Sequence, residues 1–205
     1  AADALCALIV AWGGEAERTG PVADDKVALA EALASTGETL LVTVGGASVG
    51  DHDLVKPVLT RAGLVLSVEG INVRPGRPTW FGVTPDDRRV LGLPGNPASA
   101  LVCATLFLEP LLNALHGVRD TGLVWRSARL AIPLPRNGPR EHYLRAALRS
   151  GPDGVWLAEP FEDQDSSRLV IFAAANGLVR RLPGADAATL GEVVQVLALP
   201  RSQAA

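Results

Sequence analysis

The first half of the chain alternates two spacings of apolar positions. Residues 3–12 carry apolar side chains at helical intervals behind Asp3 and ahead of Gly13-Gly14, the pattern of a helix with an acidic cap and a glycine stop. Asp24 or Asp25 can cap a second helix running through Ala34. Residues 40–44, Leu-Leu-Val-Thr-Val, form a short β-branched run that ends in glycines, which predicts a buried parallel strand. Segments 54–61, 64–68, 79–82 and 90–93 continue the alternation, and 98–116 predicts a long helix. Together these predict an open α/β sheet with helices on both faces.

After Gly117 the period shortens. Strand-like stretches at 128–134, 143–149, 155–158, 178–182 and 193–199 are separated by Gly, Pro and Asp, with one helical piece at 167–174. This predicts a small, mainly β domain, with the boundary within 117–124, so domains of 1–120 and 121–205. No internal repeat or low-complexity tract is visible.

Composition narrows the partners. The 205 residues are 48% hydrophobic and 20% charged, as in an ordinary globular protein. With 19 Lys plus Arg against 22 Asp plus Glu, no basic field exists to hold nucleic acid or an anionic membrane. No apolar run reaches the roughly 20 residues of a bilayer span and no basic signal region opens the chain, so the expected compartment is the cytoplasm. Cys6 and Cys103 lie in apolar helical patterns without a Cys-x-x-Cys, which predicts buried thiols and not zinc ligands. The sequence contains no Met, so it is expected to be a fragment.

Three loops can carry chemistry. The first, Thr43-Val-Gly-Gly-Ala-Ser-Val-Gly50-Asp51-His52-Asp53, follows a predicted strand, where ligands of open α/β sheets collect and glycine backbone amides can approach an anion. Gly45, Gly46, Ser48, Gly50 and Asp51 are its candidate contacts. Gly45 and Gly50 have the spacing of a P-loop, yet Asp51-His52 stands where Lys and Ser/Thr would reach nucleotide phosphates and magnesium, which disfavours an ordinary ATPase. A tight turn capped by Asp51 or Asp53 fits the same residues.

The second loop, Arg74-Pro-Gly76-Arg77-Pro78, fixes a turn that presents two guanidinium groups to the oxygens of phosphate or a similar oxyanion, or simply to solvent. The third, Leu93-Pro94-Gly95-Asn96-Pro97-Ala-Ser99, joins a strand to the long helix. Proline near the first helical position leaves the next amides free for an anion, and Asn96 caps or binds. Asp24, Asp51 and Asp53 can each be a helix cap. If they converge, two carboxylates about 4 Å apart repel by roughly 4 kcal/mol at an effective dielectric near 20. Mg²⁺ with ligand phosphate and water would relieve that repulsion.

The three loops in this order resemble the third domain of the MoeA and gephyrin E-domain family: Gly-Gly-x-Ser-Val-Gly-Asp-x-Asp-x-x-Lys at 45–56, Pro-Gly-Arg-Pro at 75–78, and Leu-Pro-Gly-Asn-Pro-x-Ser-Ala at 93–100. Asp163-Gln-Asp-Ser-Ser-Arg-Leu169, Ala175-Asn-Gly-Leu178 and Gly191-Glu-x-Val194 resemble the family's fourth, β domain. The resemblance implies a molybdopterin-binding, MogA-like α/β fold followed by the β domain. It also implies insertion of molybdate into adenylylated molybdopterin with release of AMP, and a homodimer.

The same resemblance gives Asp24 and Asp53 catalytic and Mg²⁺-binding roles. It puts Arg140, Ser166 and Arg168 near the molybdate, although ordinary surface and cap roles suit those three equally. Arg74 replaces a lysine common in the family, and Val44 replaces a frequent Ser or Thr. The family's two further amino-terminal domains are expected to lie outside this fragment. The competing function is a non-catalytic pterin-binding or protein-interaction module of the same fold.

Overall fold

In the computed structural model, residues 1–200 are described except 24, 35, 36, 46–53 and 152. The chain divides into two compact units: 1–71 with 76–119, and 72–75 with the residues from 120 onward. The short excursion at 72–75 has no counterpart in the sequence reading.

The first unit opens with α1 (Ala2–Ala11). Asp3 is not the cap expected of it, because the helix starts at Ala2 with Ala1 in the cap position. Asp3 instead lies in the first turn, where its charge suits the positive helix end, and pairs with Arg18. At the other end Gly13, at φ 85°, lets the chain reverse, and the Gly14 N–H donates to the Ile9 carbonyl at 2.9 Å. α2 (Lys26–Ala34) is capped by Asp25, whose carboxylate accepts from the Val27 and Ala28 amides at 2.9 and 3.0 Å.

The sheet contains β1 (Leu40–Val44), β2 (Val65–Val68), β4 (Trp80–Val83) and β5 (Arg89–Leu93), in the order β1-β5-β4-β2; α3 (Val55–Arg61) precedes β2. β1 and β5 are parallel, whereas β4 runs antiparallel to both β5 and β2. The sheet is therefore mixed, because the turn after Val83 closes a β4–β5 hairpin where an all-parallel reading would need a crossover. Trp80, Leu59, Leu64 and Val90 form a core cluster with Leu41, Val55 and Leu66 against it. Gly92 is in register with Trp80 on the neighbouring strand. An added Cβ there would lie 2.1 Å from the indole, so only glycine admits the ring.

The long helix predicted after β5 is built as α4 (Pro97–Cys103), a widened π turn at Ala104–Leu108, and α5 (Glu109–Leu115). The widened turn ends two residues before Pro110, which has no amide to donate and crowds the carbonyl one turn back. The 19-residue rod Pro97–Leu115 has the length and apolarity of a bilayer span. Ala98, Ala100, Leu101, Val102, Cys103, Ala104 and Leu108 are nevertheless at most 3% exposed, so it is a core helix of this unit.

In the second unit, β6 (Trp125–Leu130), β7 (Glu141–Ser150), β8 (Trp156–Pro160), β9 (Gly177–Arg181) and β10 (Val193–Ala198) form a sheet ordered β7-β8-β6-β10-β9. A β7–β9 pairing closes it into a barrel-like ring. The two-residue β3 (Val73–Arg74) joins β7 in parallel, with Arg74 opposite His142. Alternate residues Leu144, Ala146 and Leu148 of β7 face a core with Ala128, Ala158, Val179 and Val196, as strand periodicity requires. α6 (Leu169–Ala174) follows the loop after β8.

Candidate functional site

Two of the three loops leave neighbouring parallel strands at the same end. Val44, the last residue of β1, is opposite Leu93, the last of β5. The Gly45 N–H then donates to the Leu93 carbonyl at 3.1 Å. Gly45 has φ 85°, a conformation that suits a residue without Cβ. A Cβ on Gly95 would stand 3.4 Å from the Gly45 Cα, so the two loops meet backbone to backbone.

The arginine turn enters the same edge. β4 runs antiparallel to β5 with Trp80 opposite Gly92, so the segment leading into Trp80 lies at the carboxyl end of β5. Gly76, at φ 118°, accepts the Thr79 N–H at 2.9 Å, and the Arg77 carbonyl accepts the Ile71 N–H at 3.1 Å. These bonds hold Arg77 at the surface, exposed. Arg74, also exposed, belongs to the second unit, and the Arg74–Pro75 peptide is cis.

Around the third loop, Asn96 occupies the helix N-cap with extended backbone and Pro97 the first helical position, without a side-chain cap hydrogen bond from Asn96. Pro94 and Ser99 are buried, whereas Gly95 and Asn96 are exposed. The open polar surface of this loop is thus the Gly95-Asn96 backbone and the Asn96 side chain. Lys56, at the end of the first motif, donates to the Glu69 carbonyl at 3.4 Å and lies 5.9 Å from the centre of the Trp80 ring.

Asp24, Gly46, Ser48, Gly50, Asp51 and Asp53 lie outside the described residues. Among the described residues, no group of three or more His, Cys, Asp or Glu could hold a metal ion.

The second unit contributes a cationic cluster that the sequence reading did not single out as a whole. His142 on β7 is influenced by the guanidinium groups of Arg74, Arg140 and Arg145. Burial first, and then these three charges, push its imidazole down to about 4, so it is neutral at pH 7. Arg140 is half-buried, and its carbonyl accepts from the Asn137 side-chain amide at 2.9 Å. Arg168 is exposed and pairs with Asp163 at 2.9 Å; Ser166 is half-buried in the same loop. The missed signal was Arg-Glu-His-Tyr-Leu-Arg at 140–145, which puts three cationic or imidazole groups into and just before one strand.

An α/β unit whose two parallel strands β1 and β5 lead into glycines that meet backbone to backbone, followed by a barrel-like β unit, belongs to the open-sheet class of proteins in which ligands collect at the carboxyl ends of the strands. Residues 1–114 match the probable molybdopterin binding domain and residues 127–199 the MoeA C-terminal region, domain IV, so the chain belongs to the MoeA family.

The chain is 32% identical over 203 residues to a molybdopterin molybdenumtransferase of Nostoc sp., with 96% of this chain and 46% of that protein covered. It is 33% identical over 185 residues to the molybdenum cofactor synthesis protein cinnamon of Drosophila melanogaster, covering 85% and 29%. The crystal structure of a molybdopterin biosynthesis MoeA protein from Pyrococcus horikosii superimposes with a TM-score of 0.78 at 29% identity, covering 98% of this chain and 48% of that one. The chain spans about half the length, or less, of these relatives.

Proposed function

We propose that this chain carries the pterin- and molybdate-handling part of a molybdopterin molybdenumtransferase. The reaction exchanges AMP for molybdenum on adenylylated molybdopterin. The observation that carries the reading is the backbone contact of Gly45 with Gly95 at the carboxyl ends of β1 and β5, on the sheet edge where the Arg77 turn enters. Glycines at such a place let main-chain amides approach a phosphate, and Arg77 adds a guanidinium whose planar fork suits phosphate oxygens. The pterin dithiolene supplies the sulfur ligands of molybdenum. The protein's contribution is positioning and neutralisation of negative charge.

Within this proposal Gly45, Gly46, Ser48, Gly50, Asp51, Gly76, Arg77, Pro94, Gly95, Asn96, Pro97 and Ser99 surround the pterin phosphate and nucleotide. Arg74, Arg140, Ser166 and Arg168 take the molybdate. Asp24 and Asp53 hold Mg²⁺, an assignment that stands on the sequence resemblance alone. A homodimer and a cytoplasmic location belong to the same proposal.

The decisive variant is Asp53→Asn in the full-length protein. Asn is as good an N-cap as Asp, so a capping role survives the change, whereas a cation site loses its charge. Thermal stability should hold while AMP release, followed with molybdate and Mg²⁺ present, falls to background. AMP release at the parent's rate makes Asp53 a cap. Calorimetry that showed tight MgATP binding and no pterin binding would replace the transferase reading altogether.

A further inference from the structure

The loop that carries Ser166 and Arg168 is tied to one buried side chain. Arg145, in the middle of β7, is only 2% exposed although it is charged. Its main-chain N–H and its Nε–H both donate to Gln164 Oε1, at 3.0 and 3.3 Å, and one terminal nitrogen donates to the Asp165 carbonyl at 2.9 Å. Gln164 answers with its own amide, which donates to the Arg145 carbonyl at 3.0 Å and the Phe161 carbonyl at 2.7 Å. The Phe161 N–H donates to the Arg145 carbonyl at 3.0 Å.

Beyond this clamp the loop folds on its own acids. Asp163 accepts the Asp165 N–H at 2.8 Å, and Asp165 accepts both the amide and the hydroxyl of Ser167 at 2.8 Å. Those hydrogen bonds hold the Asp165 carboxyl below the usual range. Such Asx turns set local curvature but do not fix a loop to a sheet. The Arg145 and Gln164 bonds, with the Phe161 N–H, tie it to β7, and a buried guanidinium is costly unless its donors are matched.

We propose that Arg145 is a positioning residue, which with Gln164 locks the 161–168 loop onto β7 and thereby sets the oxyanion affinity of the site to which Ser166 and Arg168 are assigned. The proposal rests on the transferase reading for the identity of the oxyanion, molybdate. The clamp itself rests on hydrogen bonds within the second unit. Arg145 acts on the ligand through the loop, with its Nε and one terminal nitrogen engaged by Gln164 and Asp165.

The test uses the full-length protein with Arg145→Lys, which keeps the charge and loses the planar fork. Amide exchange over 163–168 should accelerate. Molybdate affinity, titrated calorimetrically, should weaken by about tenfold, the loss expected of one charge-assisted hydrogen bond. Affinity for the adenylylated pterin should stay within about twofold. Unchanged exchange in that loop overturns the clamp, and faster exchange with unchanged molybdate affinity overturns its role in the site.

Gln164→Glu keeps the acceptor for Arg145 but removes both amide donors. It should reproduce the pattern more weakly, and it decides the question alone if Arg145→Lys does not fold. A parent protein that binds neither molybdate nor pterin refutes the transferase reading, and loop exchange in the variants still decides the clamp.

Discussion

The two units solve the problem of holding anions by different means. In the first, the candidate contacts are main-chain amides made available where side chains are missing: Gly45 and Gly95 touch backbone to backbone, and Gly76 turns the chain ahead of β4. In the second they are side chains on or beside a barrel-like sheet, among them Arg74 and Arg140, whose charges act on a neutral His142. A backbone site is sensitive to volume and nearly indifferent to pH. A side-chain site is sensitive to charge and tolerates volume wherever a rotamer can yield.

The largest effect expected from this contrast is at the glycines under the two cores. Gly92→Ala in the first unit drives a Cβ to 2.1 Å from the rigid, fully buried Trp80 ring. It should cost about 3 kcal/mol, read as a lower urea midpoint. Gly177→Ala in the second unit meets the branched end of Leu148 at 2.3 Å. A leucine can change rotamer, so about half that loss is expected. Equal losses would show that neighbour rigidity does not distinguish the two cores.

Gly45→Ala is the next in size. The added methyl meets nothing closer than 3.8 Å, so its cost is the strain of a left-handed residue, about 1–2 kcal/mol. Pterin binding should weaken while molybdate binding does not, since the change lies in the backbone-built site. A variant as stable as the parent would mean that the loop relaxes out of φ 85°.

The smallest effect is a pH dependence confined to the second unit. The folded imidazole of His142 titrates at about 4 against an ordinary 6.5. As pH falls through that window the unfolded chain takes up a proton that the folded chain refuses, so stability is lost from about pH 6.5 down to pH 4. His142→Gln removes this contribution. Its urea midpoint should fall less between pH 7 and pH 5 than the parent's, and parallel falls would mean that neither burial nor the three arginines hold His142 neutral.

The elements most legible in the sequence were those whose cause is local. The glycine stop after α1, the Asp25 cap, proline at the start of α4 and the two-residue period of β7 each follow from chemistry within a few positions. Asp3 misled because an acidic residue suits either the cap or the first turn, and only the built helix separates them. Arg77 and Gly95 could be named from sequence as candidate contacts. Their common sheet edge is not written in the local periodicity, because it depends on β4 being antiparallel to β5. His142 and Arg145 escaped notice for a related reason. Strand period tells which face a residue takes, not what covers that face.

The sequence by itself determined the order of helices and strands, the change of texture after Gly117, and the glycine, proline and arginine turns on which family membership rests. These are short-range consequences of φ/ψ preference, periodicity and charge, available without knowing what packs on what. Tertiary structure alone decided that the first sheet is mixed, that 72–75 leaves the first unit to pair with β7, and that a charged Arg145 can be buried by a loop some twenty residues further along. Each of these depends on which distant segment supplies the matching hydrogen bonds, and a buried polar group is stable only where that partner arrives.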